Sequence, residues 1–108
     1  MKEFNQEDIN QFFNLKSTGI MYLYTPLCGT CQTASKMMLV IEQLLPNFPF
    51  SQANLNYVPD IAKILSIESV PCLLVIKDGQ IEEKIYAFHS VPYLYEKIKK
   101  MLEMKKVQ

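Results

Sequence analysis

The chain has no tryptophan, a single histidine and no excess of charge: 11 basic and 11 acidic side chains leave a formal net charge of zero. A neutral chain offers no electropositive face for a nucleic-acid backbone, so no nucleic-acid partner is expected. Lys97, Lys99, Lys100, Lys105 and Lys106 cluster near the end and read as the solvated side of a last helix. Long apolar runs are also missing. The longest, around Val70 to Ile76, falls far short of the roughly 20 residues that a membrane helix needs, and no membrane association is expected. Met1 to Asn10 is polar and lacks the apolar segment of a signal peptide, which favours a cytoplasmic chain. Cysteine is scarce, and three thiols cannot form a fully paired framework. In a reducing compartment structural disulfides are disfavoured, so a close-spaced pair reads as catalytic or metal-binding.

What is present is globular. Of 108 residues, 49% are hydrophobic and 20% charged, enough for one compact domain over residues 1–108 that folds without staples. Asn5 can cap a first helix with Asp8 three residues on, and Phe4 and Ile9 are placed as a hydrophobic staple. That helix would bury Ile9, Phe12 and Phe13. Gly19 to Thr25 is apolar and aromatic almost throughout, as in a central strand covered on both faces, and Pro26 should end it. From about Cys28 to Leu45, Cys31, Ala34, Met38, Ile41 and Leu45 recur at helical spacing, and Pro46 stops the run. Phe48 to Leu55 carries a weaker strand pattern, and Pro59 can open a short helix with Ile61, Ile64 and Leu65 inward. Cys72 to Lys77 and Ile81 to Ala87 flank Asp78-Gly79, a hairpin signal. Ser90 caps a last helix whose inner stripe is Val91, Leu94, Ile98, Met101 and Lys105. Early strands alternate with helices and should be parallel, and the final hairpin is antiparallel. The expected fold class is α/β: a small mixed sheet with helices on both faces, with a minimal strand before the first helix.

The chemistry concentrates at Cys28-Gly29-Thr30-Cys31, between the first long strand and the second helix. A cysteine at a helix N-terminus faces unpaired N–H groups and the positive end of the dipole, and both favour the thiolate, the nucleophilic form. Cys28 is therefore the expected nucleophile. Cys31, nearly one turn later on the same face, is the expected buried resolving thiol. Gly29 leaves room for an approaching sulfur, and the Thr30 hydroxyl can hydrogen-bond near Cys28. Cys72 reads as a small buried residue opening a strand, or as a third thiol near the pair. A zinc site would need four ligands, and only Cys28, Cys31, Cys72 and His89 are on offer, without a second close-spaced pair. No metal is expected.

These motifs resemble the thioredoxin family: Cys28-Gly29-x-Cys31 after the first long strand, Val70-Pro71 before the third, and Lys77-Asp78-Gly79 at the hairpin. The resemblance covers nearly the whole chain. It implies a thioredoxin fold, dithiol–disulfide exchange without a cofactor, and a Pro71 in cis. It also implies disulfide-bearing proteins as substrates, a thioredoxin reductase or a low-molecular-weight thiol as electron donor, and a monomer. Leu27, Thr30 and Val70 would form the apolar contact patch for substrate. The chain departs from the family at several positions. Leu27 stands where tryptophan is usual, and Thr30 replaces a proline. Tyr22 occupies the place of a buried acid, Gln52 that of its lysine partner, and Ala87 that of a glycine. Thr30 raises the expectation of a reduction potential above thioredoxin's. The missing acid leaves water or a nearby group such as Glu68 to take the Cys31 proton, so resolution should slow below neutral pH. Two alternatives stay open: glutaredoxin-like reduction of mixed disulfides with a small thiol, and a non-enzymatic module that uses the same groove for binding.

Overall fold

The structure, a computed structural model, describes residues 1–106, with side chains through residue 101. The elements run β1 (Lys2–Glu3), α1 (Gln6–Asn14), β2 (Gly19–Tyr24), α2 (Gly29–Leu44), β3 (Phe50–Asn54), α3 (Pro59–Ile64), β4 (Cys72–Lys77), β5 (Gln80–Ile85) and α4 (Val91–Lys106). The strands form one sheet in the order β1-β3-β2-β4-β5. β1, β3 and β2 are parallel, while β4 runs antiparallel to β2 and to β5. The crossovers through α1 and α2 make the first pairings parallel, and a tight turn makes the last antiparallel.

Both faces of the sheet are covered, which is why β2 and β4 read as unbroken apolar runs. The alternation of strand side chains sorts them. Ile20, Tyr22, Leu73 and Val75 face α2 and α4, where Ala34, Met38, Ile41, Leu94 and Ile98 pack on them. Met21, Leu23, Cys72, Leu74 and Ile76 face the opposite layer, with Ile9 of α1 and Ile61 of α3. Phe12 and Phe13 pack at the edge of that layer, and only Ile9 of α1 is fully buried. The side chain of Lys105, expected on the inner stripe of α4, lies outside the described residues.

Local signals set the element ends. The Asn5 side chain accepts the Asp8 N–H at 2.8 Å and the Asp8 carboxylate accepts the Asn5 N–H at 2.9 Å, a closed capping box. Tyr93 N–H bonds the Ser90 hydroxyl at 3.2 Å, capping α4. β3 begins at Phe50, because Pro49 has no N–H to give; its carbonyl accepts the Ile20 N–H at 3.0 Å. β3 is polar yet central. Ser51 is buried and its hydroxyl donates to the Ile20 carbonyl at 3.3 Å, which satisfies it inside the sheet. Asp78 and Gly79 both take positive φ, 52° and 77°, the turn whose twist matches a two-residue hairpin.

Candidate active site

Two loops meet at the C-terminal end of β2. One leads from Tyr24 into α2 and carries Leu27 and Cys28; the other precedes β4 and carries Val70 and Pro71, joined by a cis peptide bond. Cys28 is the N-cap of α2, with extended φ and ψ of −87° and 113°. Its sulfur therefore fills the position that a capping oxygen usually takes. The Cys31 N–H donates to Cys28 Sγ at 3.1 Å, and Thr30 Oγ1 lies 3.2 Å from the same sulfur. Val70 O stands 3.9 Å away across the gap. The bonds from Cys31 and Thr30 favour the anion and hold the Cys28 thiol below its ordinary range.

Cys31 sits one turn behind and is 2% exposed. Burial, then the hydrogen bond with Cys28, pushes its thiol up to about 11. The two cysteines, both free thiols here, are thus poised oppositely: one reachable and acidified, one buried and protonated. A side chain at Gly29 would meet nothing within 4 Å, so the chain leaves open space at that position.

Beneath the pair lies Tyr22, fully buried. Its hydroxyl donates to the Cys31 carbonyl at 2.8 Å and accepts from Ser35 Oγ at 3.0 Å. Burial pushes the phenol up to about 12, so it stays neutral in the physiological range. Tyr22, at the position of the family's buried acid, is a core residue and also a polar contact of the α2 turn. Glu68 is exposed, and its backbone N–H is bonded to Tyr86 Oη at 3.1 Å. Gln52 has turned outward to Glu3, which also accepts from Tyr24 Oη. The positions of the family's acid–lysine pair therefore serve two separate networks.

Cys72 is fully buried, on the sheet face opposite α2, in the layer of α1 and α3. Desolvation pushes its thiol up to about 11. That placement is the packing role, and it sets Cys72 apart from the Cys28–Cys31 layer. Among the described residues, no group of three or more histidine, cysteine, aspartate or glutamate side chains could hold a metal. His89 instead packs edge-to-face on Tyr93, with ring centroids 4.6 Å apart.

A groove of about 470 Å³ opens beside the pair. Thr30, Val70 and Pro71 line it together with Met37, Tyr86 and His89. No local pattern ties the last three to the pair, because they join a helix residue to the segment after β5; only the folded sheet brings them together. Leu27, next to Cys28 in the chain, is 97% exposed and is not a lining residue.

A mixed five-stranded sheet between helix layers, with a Cys-x-x-Cys pair capping the helix after β2, defines a dithiol–disulfide protein of the thioredoxin fold. The family model Thioredoxin matches residues 1–100, and the chain belongs to that family of thiol–disulfide oxidoreductases. It is 50% identical over 99 residues to the thioredoxin-like protein YusE of Bacillus subtilis, covering 92% of each chain. The oxidised crystal structure of mitochondrial thioredoxin 3 from Saccharomyces cerevisiae superposes with a TM-score of 0.76 at 25% identity, over 93% of this chain and 94% of that one. The X-ray structure of Fasciola hepatica thioredoxin gives 0.79 at 17% identity, over 93% and 98%, a likeness of fold. The chemistry of this chain is thiol–disulfide exchange at Cys28 and Cys31.

Proposed function

We propose that the protein is a single-domain, monomeric, cytoplasmic reductant of protein disulfides, in which Cys28 attacks and Cys31 resolves. The opposite poise of the two thiols carries this reading. The Cys28 thiolate, favoured by the Cys31 N–H and the Thr30 hydroxyl, attacks one sulfur of a substrate disulfide, and the other sulfur leaves as a thiolate. Cys31 then attacks Cys28 Sγ. The mixed disulfide breaks, the second substrate sulfur leaves and takes up a proton, and the pair is oxidised. A reductase or a low-molecular-weight thiol returns two electrons. A close-spaced cysteine pair kept as a catalytic dithiol suits a compartment where structural disulfides are rare, which is the ground for the cytoplasmic reading.

The groove supports a protein substrate over a small mixed disulfide. Met37, Val70, Pro71 and Tyr86 give it an apolar lining suited to the chain on either side of a cystine. Leu27, beside the nucleophile in the chain, adds an exposed apolar contact for a partner.

The test is a Cys31→Ser variant challenged with a disulfide-bonded protein. A mixed disulfide through Cys28 should accumulate while turnover stops. A variant that still turns over would give the protein the one-cysteine chemistry of a glutaredoxin-like enzyme. A Cys28 that forms no mixed disulfide would leave only binding.

A further inference from the structure

Tyr22 is a large polar side chain with no access to solvent, and everything its hydroxyl touches belongs to the helix that carries the pair. It donates to the carbonyl of Cys31 at 2.8 Å. It accepts from the Ser35 hydroxyl at 3.0 Å, four residues and about one turn further along α2. Its ring is fixed from two more sides: Tyr24 stacks on it with centroids 5.7 Å apart, and Phe88 meets it edge-to-face at 5.9 Å. The Cys31 carbonyl lies in the first turn of α2, which the sheet must hold still if Cys31 is to meet Cys28 Sγ in line with the bond it breaks.

From this geometry we infer that Tyr22 is a positioning residue for the resolving step, its Ser35-held hydroxyl anchoring the turn that presents the Cys31 sulfur to the mixed disulfide. No carboxylate takes part. In the step, the Cys31 thiol gives its proton to a solvent base and its sulfur bonds to Cys28 Sγ. The bond from Cys28 to the substrate sulfur breaks, and the substrate thiolate is protonated by solvent. Among the described residues, the titratable groups acting on Cys31 are Cys28 and Tyr22. Cys28 is tied up in the mixed disulfide at that moment, which leaves the neutral phenol. Its proton is committed to the Cys31 carbonyl, so its part is to hold the turn and not to take the Cys31 proton.

This inference rests on the reading of Cys28 as attacker and Cys31 as resolver, and the experiment separates the two. A preformed mixed disulfide on Cys28 is followed as it resolves, from pH 6 to 9, in the native chain, Tyr22→Phe and Ser35→Ala, with unfolding midpoints measured alongside. Tyr22→Phe removes only the hydroxyl and is expected to slow resolution about fivefold at every pH across that range, the fold-change of one neutral hydrogen bond, with the slope of the pH profile unchanged. Ser35→Ala should act in the same direction and more weakly, and the double variant should be no slower than Tyr22→Phe, because both act through one anchor. If Tyr22→Phe does not fold, Ser35→Ala alone carries the test. Resolution at the native rate across the range, even with a lowered unfolding midpoint, would make Tyr22 a packing residue and overturn the inference. Failure of native Cys28 to form any mixed disulfide would instead overturn the exchange reading itself.

Discussion

The backbone N–H of Cys31 donates to the sulfur of Cys28 at 3.1 Å, so the residue that carries the buried thiol also helps to ionise the half-buried one. The two cysteines are linked through the helix N-terminus before any disulfide joins them. Capping one end of α2 and activating a nucleophile are here the same interaction.

Cys28 should therefore be alkylated by iodoacetamide with a pH midpoint below the roughly 8.5 of a free cysteine, and Cys31 should remain unmodified until the chain is unfolded. The sign follows from the donors. Lowering Cys28 leaves more thiolate at neutral pH than an ordinary thiol holds, so its reaction rate should level off at a lower pH. A Cys28 midpoint at or above that of a free cysteine would remove the electrostatic basis of the assignment.

Thr30→Val keeps the shape and deletes the hydroxyl 3.2 Å from Cys28 Sγ. The Cys28 alkylation midpoint should rise, and the reduction potential of the pair should fall, because the reduced form loses a stabilising bond. A potential that stays put or rises would mean that the Thr30 hydroxyl does not act on the thiolate.

Resolution of a mixed disulfide should accelerate between pH 6 and 8. With Cys28 bonded to substrate, burial still holds the Cys31 thiol above its ordinary range, so the thiolate fraction grows up to about tenfold per pH unit there. A flat profile would require a base within the protein that the structure does not place beside Cys31.

Leu27→Ala should leave stability within about 0.5 kcal/mol, since the side chain is almost wholly in solvent. It should lower kcat/KM for a disulfide-bonded protein about fivefold, corresponding to partial burial of the lost side chain against a partner. Reduction of a small symmetrical disulfide should not change. Equal loss on both substrates would place Leu27 in the chemistry rather than in recognition.

Cys72→Ala should preserve exchange activity and cost about 1 kcal/mol or more of stability, the loss of a buried sulfur and the space it leaves. Denaturant unfolding and insulin-type disulfide turnover, measured on one preparation, check both halves. Lost activity with retained stability would bring the third thiol back into the mechanism.

Much of this was legible in the sequence, for identifiable reasons. Asn5 with Asp8, Asp78-Gly79 and Cys28-Gly29-Thr30-Cys31 are local devices: each works through atoms a few residues apart, so spacing alone exposes them. β2 and β4 were legible because burial on both faces leaves no room for polar residues. β3 was blurred, since Ser51 and Asn54 look exposed until the Ile20 carbonyl and the Asn56 N–H are seen to satisfy them. The groove wall of Met37, Tyr86 and His89 was hidden because it joins α2 to the segment after β5. Tyr22 was hidden in another way: an aromatic in an apolar strand reads as core, and its polar duty depends on where one oxygen falls relative to Cys31 and Ser35.

The most direct test is the reduction potential of the Cys28–Cys31 couple, measured by equilibration with a defined thiol redox buffer. A single two-electron transition is expected, lying above the roughly −270 mV of thioredoxin and toward the −200 mV region of glutaredoxins. A couple at or below about −270 mV would contradict the role given to Thr30. The absence of a two-electron couple would contradict the account of the pair as a redox centre.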